Sequence, residues 1–126
     1  MRKQTILLLS LIMALVFSCR RNGVGGDADL NLEIVHHNAA ITNATAFVSF
    51  DAIEMPTNPE SDFDLKVQGN ADNNRIKIEG LRAGQYYIYV VGYDGGISQT
   101  VKGGVPVEIK WKERKSEMTR TVPITE

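Results

Sequence analysis

Apolar and polar residues alternate with a period of two along most of the chain beyond residue 29, the signature of strands that bury one face. Leu30, Leu32 and Ile34 alternate with Asn31 and Glu33, which predicts a first strand ending at His36 and His37. Ala44–Phe50 predicts a second, with Ala46, Val48 and Phe50 turned inward and Phe47 outward, and residues 62–67 a third, with Phe63, Leu65 and Val67 on its buried side. The densest stretch is residues 75–94, RIKIEGLRAGQYYIYVVGYD. Ile76 and Ile78 lead into a turn bracketed by Gly80 and Gly84, and an aromatic and β-branched run follows. That is a hairpin, with Tyr86, Ile88 and Val90 on one face of its second strand and Tyr87, Tyr89 and Val91 on the other. Ile97, Gln99 and Val101 predict a short edge strand, Gly103–Gly104 a turn, and Val105, Val107, Ile109 and Trp111 a further strand. After the charged reversal KERKSE, Met118, Val122 and Ile124 predict a last strand running back. Seven to eight short strands with turn signals between them describe an all-β, antiparallel fold.

Between these strands, Asn38–Asn43 reads as a connection and Asp51–Ser61, with Pro56 and Pro59, as a mobile loop. Gly69–Asn74 is a turn by composition. It lacks the spaced carboxylates and closing glutamate of a calcium loop.

The first residues follow a different pattern. Arg2 and Lys3 precede an apolar run from Ile6 to Phe17, broken only by Ser10, which has the length of a secretory signal's central region and is short for a membrane span. Val16, Phe17, Ser18 and Cys19 then resemble a bacterial lipobox, with an aliphatic residue three before the cysteine and a small one directly before it; Phe17 departs from the usual small residue. Cys19 is the chain's single cysteine, so no internal disulfide can form, and a lone thiol in an oxidising compartment is a liability unless it is modified. Residues 1–18 are therefore expected to be a lipoprotein signal peptide, Cys19 the lipidation site and residues 19–28 a flexible, glycine-rich tether, with the β domain over 29–126. Arg20 follows the cysteine where an aspartate would favour retention in the inner membrane, which makes the outer membrane the expected location. Asp27 and Asp29 fit either an acidic surface-export tag or ordinary solvating residues.

Composition narrows the function. The formal charge is −1, and removing Arg2 and Lys3 with the signal leaves 12 basic against 15 acidic side chains, so nothing argues for nucleic acid. His36 and His37 are the only histidines; adjacent strand residues point to opposite faces, and no third ligand is spaced to complete a metal site, so no metal or other cofactor is expected. No serine or cysteine nucleophile has a base and orienting group beside it, so no enzyme is expected. Lys110, Lys112, Arg114 and Lys115 are interleaved with Glu108, Glu113 and Glu117 and read as a solvated hairpin tip.

Ile78, Gly80, Leu81, Gly84, Tyr86, Ile88, Val90, Gly92, Tyr93 and Asp94, with Ala46, Val48 and Phe50 upstream, resemble the transthyretin-like (prealbumin-like) or carboxypeptidase-regulatory-like β-sandwich, to which the collagen-adhesin B-repeat is related. The likeness covers roughly residues 30–109 and is nearly silent on function. The enzymatic branch of that fold, which hydrolyses 5-hydroxyisourate, closes with Tyr-Arg-Gly-Ser; this chain ends Val122, Pro123, Ile124, Thr125, Glu126. The B-repeat's lysine–asparagine crosslink is not expected either, since the first strand has no lysine and Val90 and Val91 stand where an acid would be. The Tyr-Tyr run, Gly-Tyr-Asp, Gly-Gly-Val-Pro-Val and Val-Pro-Ile-Thr-Glu ending also resemble small lipoproteins common in Bacteroidetes. The resemblance implies a noncatalytic envelope module, held to the membrane through lipidated Cys19, that binds a protein or glycan partner or fills a structural role. Tyr87, Tyr89 and Phe47 are its candidate contact surface. The alternative is a periplasmic small-ligand carrier or an enzyme on the same fold.

Overall fold

A computed structural model of the chain describes residues 22–126. The signal segment and Cys19 lie outside the described residues. Eight strands follow in order: β1 Val24–His36, β2 Ala39–Ala40, β3 Thr45–Phe50, β4 Leu65–Gln68, β5 Arg75–Leu81, β6 Gly84–Asp94, β7 Gln99–Ile109 and β8 Glu117–Pro123. They form two sheets packed as a sandwich. In one, β1 is central and pairs with β5, β2 and β8; the other runs β4-β3-β6-β7.

The inward rows are those the alternation marks. Leu30, Leu32 and Ile34 of β1, Ala46 and Val48 of β3, Ile76 and Ile78 of β5, and Tyr86, Ile88 and Val90 of β6 are all buried in one core, which Val122 and Ile124 complete. Burying each large side chain contributes about 1.5–3 kcal/mol, enough to order a domain of this size. The residues of this core run from Ala28 to Ile124.

Several elements differ from the sequence expectation. The glycine-rich stretch expected as a tether is strand: β1 starts at Val24, and Val24 and Ala28 both lie opposite Leu81, so residues 25–27 bulge out of the ladder. A Cβ on Gly26 would collide with the Leu81 carbonyl, which is why this bulge needs glycine. Gly103–Gly104 does not turn the chain either, and β7 runs straight through it, paired with β6 from Asp94↔Gln99 to Gly84↔Ile109. The ring of Tyr87 lies across Gly104, where a Cβ would stand 2.7 Å from it. Trp111 is in a 3-10 turn, Trp111–Glu113, and not in a strand. The last strand does not run back beside β7. It crosses to the other sheet and pairs parallel with β1, Asp29↔Glu117 through Val35↔Pro123, so the sandwich is not purely antiparallel.

Phe63 precedes β4 and is exposed, while Leu65 and Val67 are half-buried. The connection Asp51–Asp64 closes back onto β3: Asp64 N–H donates to the Val48 carbonyl (2.9 Å), and the Asp64 carboxylate accepts from Phe50 N–H (2.7 Å).

The pairing puts two sets of residues at opposite ends of the sandwich. The start of β1, the β5–β6 turn, Asp51 and residues 109–116 share one end, fixed by Val24↔Leu81, Phe50↔Tyr86, Gly84↔Ile109 and Asp29↔Glu117. His36, Asp94 and the residues after β8 occupy the other.

Candidate functional sites at the two ends of the sandwich

The β1 start and the β5–β6 turn are held together by one phenol. Tyr86 is fully buried; its hydroxyl accepts from Gly23 N–H (2.9 Å) and donates to the Arg82 carbonyl (2.6 Å), while Arg82 N–H donates to the Gly23 carbonyl (2.8 Å). The ring packs edge-on against Phe50, with centroids 5.6 Å apart. Burial pushes the Tyr86 phenol above its ordinary pKa, which keeps it a donor. Gly80 and Gly84 take positive φ (68° and 151°), as the turn reading requires. Asn22 adds a bond from its side-chain amide to the Asp51 carboxylate (2.6 Å).

This closed corner forms one wall of a surface cleft of about 450 Å³ between Gly25, Gly26, Arg82, Trp111, Arg114 and Lys115. Asp27 also lines it, as its one acidic group. The Arg114 guanidinium lies 4.4 Å from the centre of the Trp111 ring and donates to the Trp111 carbonyl (2.9 Å), while the Glu113 carboxylate accepts from Lys110 N–H (3.2 Å). These contacts fix the 3-10 turn yet leave Trp111 73% exposed. The Arg114 guanidinium over its ring stabilises Trp111 in this exposed position by about 0.5–1 kcal/mol. The segment expected as a solvated hairpin tip is thus one wall of the cleft.

At the other end, β1 and β2 are joined by the two-residue turn His37–Asn38, with φ of 46° and 67°. Positive φ at both positions is the type I′ hairpin geometry. The reversal removes the premise that the two histidines point apart: their ring centres are 4.2 Å from each other. His36 ends the inward row of β1 and is buried, with Nδ1 2.7 Å from Asp94 Oδ2 and Nε2 2.6 Å from Glu126 Oε2. Ionised carboxylates only accept, so two of them on the two ring nitrogens favour the imidazolium form of His36, in which both nitrogens donate. The Asp94 hydrogen bond raises its pKa above the ordinary value against the opposing effect of burial, and the bond to Glu126 adds to the rise. Asp94 is held below the usual carboxylate range by His36 and by Gly96 N–H (2.9 Å). Glu126 is lowered by its own backbone N–H and then by His36.

Donor atoms of His36, His37 and Glu126 lie within 4.8 Å of one another, a composition that divalent ions accept. The 2.6 Å His36–Glu126 contact is shorter than the roughly 3.3 Å between donors around a tetrahedral zinc, and it suits a shared proton. With both nitrogens engaged, His36 has no free lone pair with which to take a substrate's proton. The cluster pins the residues after β8 to β1 and β6.

The expected contact surface stands differently from its sequence reading. Phe47 and Tyr89 face away from the core, yet each is only 8% exposed. Phe63 covers Phe47 edge-on at 5.2 Å, Tyr89 stands 6.5 Å from it, and Lys66 Nζ lies 5.6 Å above its ring. Tyr87 is half-buried over Gly104. Phe47 and Tyr89 are covered and Tyr87 is half-buried, so the three aromatics do not form an exposed patch. The Trp111 cleft and the His36 cluster were missed by residue patterning; only the His37–Asn38 pair carried a local signal, as a short hairpin turn. No protein-family model matches this sequence, and no curated protein is similar to it.

Proposed function

We propose that this chain is a noncatalytic cell-envelope lipoprotein whose β-sandwich is held against the outer membrane through lipid on Cys19 and works by recognition. The observation that carries the reading is the succession along the chain: a positively flanked apolar run, a lipobox-like Val16–Cys19, and a β-sandwich whose first strand begins at Val24. A domain starting so close to the cysteine needs no transmembrane helix, since acyl chains contribute about 0.8 kcal/mol per buried methylene. The filled core supports a module over a carrier, because Tyr86, Ile88, Leu30, Leu32 and Ile34 occupy the space between the sheets where an enclosed ligand would sit. The His36 cluster supports a structural role for the only histidines, as both nitrogens of His36 are spent on carboxylates. Metabolic labelling of expressing bacteria with a fatty acid tests the anchor. Label should enter the protein and disappear in Cys19→Ser, with the protein moving from membrane to soluble fraction; an unlabelled wild type refutes the reading.

A further inference from the structure

The end of the sandwich nearest Cys19 is built differently from the rest of its surface. Cys19 precedes Asn22 by three residues, which span at most about 11 Å, so a lipid on Cys19 holds that end within roughly one Debye length of the bilayer. The side chains gathered there are Trp111, 73% exposed, with Arg82, Arg114 and Lys115 around the cleft and Lys110 and Lys112 beside it. Residues 110–115 carry four cations and one anion on a chain whose formal charge is −1. Arg20 and Arg21 continue the same sign between the cysteine and the fold. Ile53 and Met55, 64% and 54% exposed, follow Asp51 along the chain. The acidic groups of the same end include Asp27, Asp29, Asp51, Glu79, Glu108, Glu113 and Glu117; Asp51 is engaged by Asn22, Glu113 by Lys110 N–H, Asp29 by Gly80 N–H and Glu117 by the Asn31 amide, while Lys77 lies within 4.0 Å of Asp29, Glu79 and Glu117.

We propose that this face, centred on Trp111, Arg114, Lys112 and Lys115, is a membrane-docking surface for anionic phospholipid, so that the anchored domain lies on the bilayer in one orientation. Tryptophan is favoured at headgroup depth because its ring is apolar and its N–H finds polar partners there, and clustered lysines and arginines are drawn to anionic headgroups. The opposite end of β1, with the His36 cluster, then stands about 40 Å from the surface, which leaves it and the outer sheet faces open to the envelope space. The proposal rests on the Cys19 anchor for its orientation, whereas the affinity of the face for lipid belongs to the fold alone.

That separation gives the test. Residues 20–126, which lack the cysteine, are mixed with vesicles of phosphatidylcholine containing about 30 mol% phosphatidylglycerol, and the emission of the single tryptophan is followed. Docking predicts a blue shift, quenching by lipids brominated near the headgroup, and loss of both with pure phosphatidylcholine or at about 0.5 M salt. Lys112→Glu with Lys115→Glu, both at exposed positions, should cut the vesicle-bound fraction at least about fivefold with an unchanged thermal midpoint. Emission indifferent to anionic vesicles, in a chain that circular dichroism shows folded, would overturn the proposal. So would a Trp111 response to soluble inositol phosphate without any to vesicles, which would mark a cleft for a free anion. Fatty-acid labelling reports on Cys19 and the vesicle assay on the anchor-free face, so failure of one is told apart from failure of the other.

Discussion

Tyr86→Phe isolates the bond network that closes the Cys19 end. The substitution keeps the ring, its burial and its edge-on contact with Phe50, and removes only the hydroxyl. Gly23 N–H and the Arg82 carbonyl, bonded to that hydroxyl at 2.9 and 2.6 Å, are then left facing an apolar wall. A buried polar group without a partner costs about 1–3 kcal/mol, and two of them, partly relieved by movement of residues 22–26, bring the loss to about 2–3 kcal/mol. For a domain of this size that lowers the thermal midpoint by about 8–15 °C. The measurement is urea and thermal unfolding followed by circular dichroism, with Tyr93→Phe as control, since Tyr93 is 59% exposed and its change should stay within about 0.5 kcal/mol. The denaturant slope should not change, and the Gly23 amide should lose its protection from hydrogen exchange. If Tyr86→Phe unfolds within about 0.5 kcal/mol of wild type, the hydroxyl does not hold the corner and the cleft's fixed wall needs another explanation.

Two further predictions use the far end and the β6–β7 seam. Because the folded-state pKa of His36 is raised, its contribution is fully present below the ordinary histidine value of about 6.5 and fades as pH climbs through the raised value; the lowered pKa values of Asp94 and Glu126 mean that their contribution fades as pH falls through the lowered values, below the ordinary carboxylate range. Thermal midpoints measured from pH 5 to 9 should therefore decline on the alkaline side in wild type and be flatter there in Asp94→Asn, and parallel curves would show that the cluster is not coupled to folding. Gly104→Ala drives a methyl against the Tyr87 ring and the Ile88 carbonyl and should cost about 1–3 kcal/mol, whereas Gly95→Ala meets nothing within 4 Å and should be near neutral; equal unfolding midpoints for the two would contradict the close approach of Tyr87 to β7.

Much of the fold was legible because strand burial is a local property: side chains alternate at every step, so Leu30, Leu32 and Ile34, or Tyr86, Ile88 and Val90, announce an inward row without reference to any other part of the chain. The same rule, applied further, would have joined what the glycines seemed to divide. Val101, Val107 and Ile109 are all buried at odd positions, a phase that a turn at Gly103–Gly104 would not be obliged to keep and that one continuous strand does.

Alternation by itself thus determined that this chain is all-β and most of the side chains that fill its core. Which strands lie side by side was decided only by tertiary structure. The parallel docking of β8 on β1 places Met118, Val122 and Ile124 in the core from the opposite sheet, and a charged reversal before that strand is compatible with either partner. Both candidate sites depend on such choices. His36 meets Asp94 and Glu126 across 58 and 90 residues, and Trp111 comes to the Cys19 end because β7 pairs Ile109 with Gly84. Contacts of that span are set by how the whole core closes, and no local pattern of residues encodes them.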